Sequence, residues 1–234
     1  MFDLVIISCE HGGNRVPARY RSLFSPRLLE SHRGYDPGAL PIARRLSSGI
    51  DAELHVALTT RLLVDLNRSL HHQELFSPPV KALDAAERQR IIDRYYLSHR
   101  NGIEQSVRRE ITDHRSVLHL GVHTFTPVRH GERRRADVGL LYDTARPKEY
   151  HVARQWQDLL RKGHPRLIVR RNYPYRGAAD GLTTHLRALF PPRAYLGLEL
   201  EVNQRHARKP HSAAVAGVLE TFEDLVTRAA DRGQ

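Results

Sequence analysis

Cysteine is almost absent from this chain, and long apolar runs are missing. A single cysteine, Cys9, among 234 residues excludes an internal disulfide framework and a cysteine-rich zinc finger. Any metal ion must therefore be held by histidines and carboxylates, and Cys9 itself is expected to be a buried packing residue. No apolar run approaches the roughly 20 residues that cross a bilayer. Because the start also lacks the features of a secretory signal, we expect a cytoplasmic protein with no membrane partner.

Acidic residues are fewer than basic ones. The chain has 37 lysines and arginines against 26 aspartates and glutamates, which gives a formal net charge of +11. A non-enzymatic nucleic-acid-binding protein is one interpretation, because basic surfaces release counterions from nucleic acid. The basic residues are spread along the chain, however, and the one dense cluster, 133–135, has no helix-turn-helix or RNA-binding aromatic motif beside it. We therefore expect no nucleic-acid partner, and the charge would instead attract a small anionic molecule.

Hydrophobic periodicity predicts an alternation of strands and helices. The predicted strands lie near 3–9, 53–58, 62–66, 117–123, 138–142, 166–170 and 195–202. The predicted helices span 38–48, 84–112, 148–162 and 212–229, whereas 129–136 and 171–185 are expected to be loops. Such an alternation is typical of an α/β fold, a parallel or mixed central sheet with helices on both faces. The length is that of one domain over residues 1–234. No motif specifies an oligomeric state.

Two histidines follow apolar, strand-like runs and are candidate metal ligands. His11 and His123 both stand where a predicted strand ends, and ligands of open α/β sheets collect outside the carboxyl ends of strands. Neutral imidazole is the commonest metal ligand, and catalytic zinc usually takes three protein ligands. A third ligand is therefore required. The candidates are Asp36, Glu10 and Asn14, and Asp36 could instead cap the helix that follows it.

Two carboxylates share one face of the last predicted strand. Glu199 and Glu201 are separated by one residue, so the period of two in a strand places both side chains on the same side. Burying an ionised carboxylate is costly unless it is paired or lies near a metal. Glu201, which is nearer the carboxyl end, is the candidate general base. Glu199 is expected to lie deeper and to pair with an arginine.

Candidate substrate-binding residues surround the predicted strand 62–66 and the predicted loop 171–185. Arg61 precedes that strand, and Asn67 and Arg68 follow it. An arginine at a strand end can make a two-pronged contact with a carboxylate, and a surface salt bridge is the alternative. Tyr175 belongs to the loop segment 172–177, which either closes over a ligand or forms a structural turn.

Together these segments resemble the N-formylglutamate amidohydrolase family over most of the chain. The motifs that carry the resemblance are SCEHGGN (8–14) with Pro17, YDPG (35–38), DLNR (65–68), GVHTFTP (121–127), DVGLLY (137–142), NYPY (172–175) and ELEVNQ (199–204). The family is similar to the wider zinc carboxypeptidase and aspartoacylase group, which implies a three-layer, phosphorylase/hydrolase-like fold and one zinc ion. The resemblance implies that His11 and His123 are zinc ligands. It also implies that Asn67 and Arg68 hold the substrate carboxylate and that Glu201 is the base.

The chain departs from the carboxypeptidase group at one ligand position. There the first histidine is followed three residues later by a ligand glutamate, and this chain has Asn14 at that place. Asparagine is a poor zinc ligand. We therefore expect Asp36 to be the third ligand, as in peptidoglycan amidases of a similar fold, with Glu10 and Asn14 held in reserve.

The expected reaction is zinc-dependent hydrolysis of the amide bond in an N-formyl or other short N-acyl amino acid, such as N-formylglutamate. The expected partner is therefore a small anionic substrate. A zinc amidase or carboxypeptidase acting on peptides or cell-wall fragments is the alternative. Such an enzyme would share the site residues but would need an open groove.

Overall fold

The computed structural model describes residues 2–112, 115–209 and 211–231. Its strands are β1 (Leu4–Cys9), β2 (Glu53–Val56), β3 (Val117–Phe125), β4 (Val128–Arg129), β5 (Glu132–Arg133), β6 (Val138–Leu141), β7 (Val169–Arg171) and β8 (Tyr195–Asn203). Apart from the small hairpin of β4 and β5, they form one sheet in the order β2-β1-β3-β8-β6-β7. Strands β6 and β8 pair antiparallel and the other neighbours pair parallel, so the sheet is mixed.

Helices cover both faces of this sheet. The α-helices of the described residues are α1 (Pro26–Leu29), α2 (Ala39–Ile50), α3 (Pro78–Lys81), α4 (Ala85–Ile91), α5 (Ser98–Thr112), α6 (Pro147–Gly163), α7 (Leu182–Leu189), α8 (Gln204–Ala207) and α9 (Ala213–Asp231). Helices α2, α6 and α9 pack on one face, and α5 and α7 pack on the other. The three-layer α/β fold with a mixed sheet is therefore confirmed. Among the helices of the described residues, none is long and apolar enough to cross a membrane.

Alternation along the central strands separates an apolar face from a partly polar one. On β8, Leu196, Leu198 and Leu200 are buried in the core beneath α2, α6 and α9. The intervening Glu199 and Glu201 point to the other face, where Glu199 accepts a hydrogen bond from α7. The period of two thus places both carboxylates on one side, as the sequence predicts.

A buried chain of hydrogen bonds links the three central strands on that second face. Ser8 Oγ of β1 lies 2.8 Å from His119 Nε2 of β3, and the hydroxyl of Tyr195 on β8 lies 2.9 Å from His119 Nδ1. A neutral imidazole offers one donor and one acceptor, which two hydroxyl groups can satisfy. Burial lowers the pKa of His119 to about 4, so the ring stays neutral in the folded protein at neutral pH.

Most predicted elements are present, and Cys9 is buried and free as expected. The predicted strand 62–66 is wrong. This segment is a turn followed by irregular chain, in which Leu63 N–H donates to Thr60 O at 3.0 Å and Asp65 N–H donates to Leu75 O at 2.9 Å. Its apolar side chains are buried in a second core cluster, away from the sheet. A short apolar run indicates burial, but its periodicity does not tell a strand from other buried backbone.

The predicted strand 166–170 and two predicted loops also differ from the structure. Strand β7 starts only at Val169, and the loop 129–136 contains the turn and second strand of the β4–β5 hairpin. His130 (φ +51°) and Gly131 (φ +80°) form that turn, and two paired residues are too few to produce a periodic pattern. Helix α7 begins inside the predicted loop 171–185.

Because His119 is buried without a proton, we expect acid to destabilise the fold through this residue. The unfolded chain binds a proton at His119 below a pH of about 6.5, whereas the folded protein does so only near 4. The contribution of the neutral ring to the free energy of unfolding is therefore present at neutral pH and is lost as the pH falls. The loss is about 3 kcal/mol. The difference in unfolding free energy between the wild type and His119→Gln should shrink by that amount between pH 7.5 and 4 in urea unfolding of metal-free protein.

The exposed His151 on α6 supplies the control, because His151→Gln removes a histidine that the fold does not bury. Its unfolding free energy should follow the wild type over the whole interval. A constant difference between the wild type and His119→Gln from pH 7.5 to 4 would contradict the assignment of a buried neutral ring.

Candidate metal centre and active site

A cleft of about 810 Å³ opens at the carboxyl ends of β1, β3 and β8. His11 follows β1, His123 lies near the end of β3, and Glu201 lies opposite His123 in the pairing of β3 with β8. All three side chains line the cleft. Parallel strands that end at the same edge therefore bring together residues that are far apart in the sequence.

His11, Asp36 and His123 form a buried group at the bottom of this cleft, the ligand trio. One possible ligand atom from each residue lies within 4.8 Å of the others. Asp36 Oδ2 lies 3.3 Å from His11 Nδ1 and 3.0 Å from His123 Nδ1. Two imidazole nitrogens and a carboxylate oxygen that converge in this way could hold a metal ion.

The backbone before α2 brings Asp36 to the rings. Asp36 N–H donates to His11 O at 2.9 Å, so this segment is tied to the loop after β1. Gly38 follows with a φ of +91° and is the N-cap of α2. A Cβ at Gly38 would lie 2.4 Å from Ala207 O, so this tight passage requires glycine. Asp36 therefore does not cap the helix, and its carboxylate is directed to the rings instead.

The two reserve ligands lie elsewhere. Asn14 Nδ2 donates to Leu29 O at 3.2 Å. Glu10 Oε2 lies 3.2 Å from His123 Nε2, on the opposite edge of the ring from Asp36. Of the three candidates, only Asp36 lies between the two rings. The metal-ligand role of the trio itself stays a prediction.

Each ring of the trio has a second carboxylate behind it. Asp65 Oδ1 lies 2.7 Å from His11 Nε2, and Glu10 Oε2 occupies the equivalent place behind His123. Histidines that bind metals usually donate their other N–H to a carboxylate, which orients the ring. Both rings therefore present Nδ1 to the centre of the trio. Asp65 was not among the predicted site residues, although the DLNR motif contains it.

Arg61 links the carboxylates of this region. Its guanidinium contacts Asp65 Oδ2 at 2.6 Å and Asp36 Oδ1 at 3.2 Å. Burial opposes ionisation of Asp65, but the charges of Arg61 and His11 outweigh it and hold the pKa of this carboxyl below its usual value. Arg61, a predicted substrate-binding residue, lines the cleft, and its guanidinium is engaged by two carboxylates of the site itself.

Glu201 carries an unpartnered carboxylate oxygen. The side chain is buried, and Oε2 has no hydrogen-bond partner among the described residues. Burial raises the pKa of Glu201 to about 8. Buried polar atoms in folded proteins nearly always have a partner, so this oxygen is placed to interact with water, a cation or a substrate that enters the cleft.

The prediction that Glu199 pairs with an arginine is wrong. Glu199 Oε1 instead accepts hydrogen bonds from Thr183 Oγ1 at 3.2 Å and from Asn67 Nδ2 at 3.5 Å. Asn67 Oδ1 in turn accepts from Leu182 N–H at 2.7 Å. Asn67 therefore ties the DLNR segment to the start of α7, with its amide nitrogen 3.5 Å from His123 Nε2.

Arg68 and Tyr175 lie on the walls of the cleft. The guanidinium of Arg68 is 3.6 Å from Glu74 Oε2, and its side chain is 30% exposed. Tyr175 is exposed and stacks against Arg134, whose guanidinium carbon is 5.3 Å from the ring centroid. Neither residue contacts the trio.

The segment 172–177 that carries Tyr175 is a turn held by hydrogen bonds to Asn172. Asn172 Oδ1 accepts hydrogen bonds from Tyr142 N–H at 3.1 Å and Gly177 N–H at 3.0 Å. The segment crosses close over the sheet at Gly139, where a Cβ would lie 1.9 Å from Tyr173 O. Gly139 also pairs with Glu201 in the sheet. Glycine at this position thus lets the turn pass beside the candidate base.

The chain belongs to the N-formylglutamate amidohydrolase family, which matches residues 4–207. It is therefore an amidohydrolase, an enzyme class that acts on amide bonds.

Two solved structures resemble the chain along nearly its whole length. A gene product of Agrobacterium tumefaciens, Atu2144, is 28% identical with a TM-score of 0.82, and the alignment covers 97% of this chain and 90% of that one. An N-formylglutamate amidohydrolase from Ralstonia eutropha is 20% identical with a TM-score of 0.75, and the alignment covers 98% of this chain and 94% of that one. No curated protein sequence matches significantly.

If the carboxylates behind the rings orient them for a metal ion, their removal should weaken metal binding. We expect Asp65→Asn and Glu10→Gln each to lower zinc affinity by about 10- to 100-fold, because the Nε2–H of each ring loses its charged acceptor. Competition with a chromophoric chelator measures this. Glu74→Gln, a carboxylate of the same cleft that contacts neither ring, is the matched control. Unchanged affinity in both test variants would contradict the prediction.

Proposed function

We propose that the protein hydrolyses the amide bond of N-formyl or other short N-acyl amino acids, such as N-formylglutamate, with the help of one zinc ion. Membership of the amidohydrolase family supports the reaction class. The single observation that carries the mechanism is the unpartnered Oε2 of Glu201 in the cleft that the ligand trio lines. Membership of an enzyme family also argues against the alternative that the chain is a non-enzymatic nucleic-acid-binding protein.

The residues present fit a zinc ion. His11, His123 and Asp36 would hold it, since two imidazoles and a carboxylate are a donor set that catalytic zinc takes, with a further position open. Asp36 supplies the negative charge: burial opposes its ionisation, but His11, His123 and Arg61 keep its pKa below the usual value. When bound, zinc supplies Lewis-acid chemistry, lowering the pKa of water and polarising a carbonyl oxygen.

Glu201 is the proposed proton carrier of the reaction. Its Oε2 accepts a proton from the attacking water, whose oxygen bonds to the acyl carbon, and then delivers that proton to the amide nitrogen as the C–N bond breaks. The products are formate, or another short carboxylate, and the free amino acid. Burial raises the pKa of Glu201 to about 8, and a pKa close to the working pH suits a group that both takes and returns a proton.

Arg68 is the proposed site for the substrate carboxylate. Glu74 engages its guanidinium only at 3.6 Å, so a carboxylate in the cleft can make charge-assisted hydrogen bonds to it. The amide nitrogen of Asn67 lies between His123 and Glu199 and is placed to donate to the substrate. Arg61 supports this arrangement by holding Asp36 and Asp65, and Tyr175 forms part of the outer wall.

We expect Glu201→Gln to lower kcat for formate release from N-formylglutamate by about 10²- to 10⁴-fold, because glutamine cannot accept the proton. The zinc content should stay at that of the wild type, since Glu201 is not a proposed ligand. Glu220→Gln, which removes an exposed carboxylate of α9 outside the cleft, should keep the wild-type activity. Full activity of Glu201→Gln would show that the base is a different residue.

A further inference from the structure

The cleft is larger than a formylated amino acid needs. Its volume of about 810 Å³ lies in the upper part of the range of roughly 300–1,000 Å³ that holds drug-sized ligands. A formylated amino acid is much smaller than such ligands. With this substrate placed beside Glu201 and Arg68, most of the cleft would remain open to further parts of a longer molecule.

The outer part of the cleft carries four basic side chains that form no ion pair within the part of the chain that the structure describes. This outer basic group consists of Arg33, Lys81, Arg129 and Arg176, which are all exposed. Within the described residues, none of the four has a carboxylate partner at ion-pair distance.

The acidic side chains of the outer cleft are already engaged. Glu74 lies 3.6 Å from the guanidinium of Arg68, and Asp180 Oδ2 accepts a hydrogen bond from Ser69 N–H at 2.9 Å. At the bottom of the cleft, Asp36 and Asp65 pair with Arg61 and the two histidines. The positive charge of the outer basic group therefore faces the open part of the cleft.

The four residues of the outer basic group come from different parts of the fold. Arg33 precedes α2, Lys81 ends α3, Arg129 lies in β4, and Arg176 lies in the turn between β7 and α7. The charge therefore surrounds the opening rather than following one solvated helix face. Basic side chains grouped around an opening attract ligands of the opposite charge.

We infer that the cleft takes the N-acylated end of an acidic peptide, with the acylated residue beside Glu201 and the carboxylates of the following residues on the outer basic group. This inference rests on the amide hydrolysis proposed above. The bond change is the same: water adds its oxygen to the acyl carbon, the C–N bond to the first residue breaks, and the peptide leaves with the proton on its new amine. A peptide, unlike a single amino acid, accounts for both the volume and the distribution of charge.

The direct test compares kcat/KM of the zinc-loaded enzyme for formyl-Glu, formyl-Glu-Glu and formyl-Glu-Glu-Glu. Formyl-Glu-Gln-Gln is the counterpart of the last that lacks its two added side-chain carboxylates. We expect kcat/KM to rise by about tenfold for each carboxylate that gains a contact, and not to rise for the glutamine peptide. In Arg33→Gln/Arg129→Gln the ratio of kcat/KM between the longest and shortest glutamate substrates should fall towards one.

The matched control for this ratio is Arg166→Gln/Arg193→Gln. It removes the same charge from two exposed arginines outside the cleft and should retain the wild-type ratio. Equal kcat/KM along the glutamate series would overturn the inference while leaving the proposed hydrolysis intact.

A binding measurement separates this inference from the proposed reaction. Calorimetric titration of zinc-loaded Glu201→Gln with formyl-Glu-Glu-Glu should show binding that weakens in added salt and is lost when Arg33 and Arg129 are also replaced by glutamine. If no formyl substrate is hydrolysed by the wild type but this binding is found, the acidic-peptide cleft stands and the proposed reaction fails. A single-stranded oligonucleotide that binds the same arginines more tightly than the peptide would overturn the inference in favour of nucleic acid.

Discussion

The site depends on one buried carboxylate, that of Asp36, placed between two imidazole rings. An isolated charge in a protein interior costs several kcal/mol, so Asp36 can remain ionised there only with close partners. His11, His123 and Arg61 are those partners. The two histidines lie at the ends of the neighbouring strands β1 and β3, whereas Asp36 and Arg61 belong to segments outside the sheet. This electrostatic contact therefore joins those two segments to the edge of the sheet.

The contact with Asp36 also gives a role to the carboxylates on the Nε2 edges of the two rings. Asp65 and Glu10 accept from the far edges of the rings and fix which nitrogen faces Asp36. Burial opposes a charge on His123, but Asp36 and Glu10 outweigh it and raise the pKa of this ring well above its usual value. A divalent cation bound at the trio would take the place of such protons, so metal binding and proton release are coupled.

The residues at strand ends could be predicted because a strand end is visible in the sequence. An apolar run that stops at a histidine, or a pair of glutamates spaced by one residue, indicates both position and face. Those patterns point to His11, His123 and Glu201, and the likeness to peptidoglycan amidases favours Asp36 over the other two candidates for the third ligand. The structure brings these four side chains to one cleft.

Residues held by irregular chain could not be found in the same way. The buried segment 62–66 resembles a strand in its composition, although it lies in a separate core cluster. Because the segment is not a strand, its pattern does not predict that Asp65 contacts His11. The partners of Glu199 depend on where α7 begins, and the sequence around 171–185 has no periodic pattern before that helix. Long-range contacts of this kind follow from the packing of loops, which local patterns do not encode.

The most direct measurement is a crystal structure of the zinc-loaded protein with anomalous differences recorded at the zinc edge. The account predicts one buried peak bonded to Nδ1 of His11, Nδ1 of His123 and the carboxylate of Asp36 at about 2.0–2.2 Å, with Glu201 close to it but not bonded. Coordination through Nε2 of either ring, an ion at another place or the absence of any ion would contradict it.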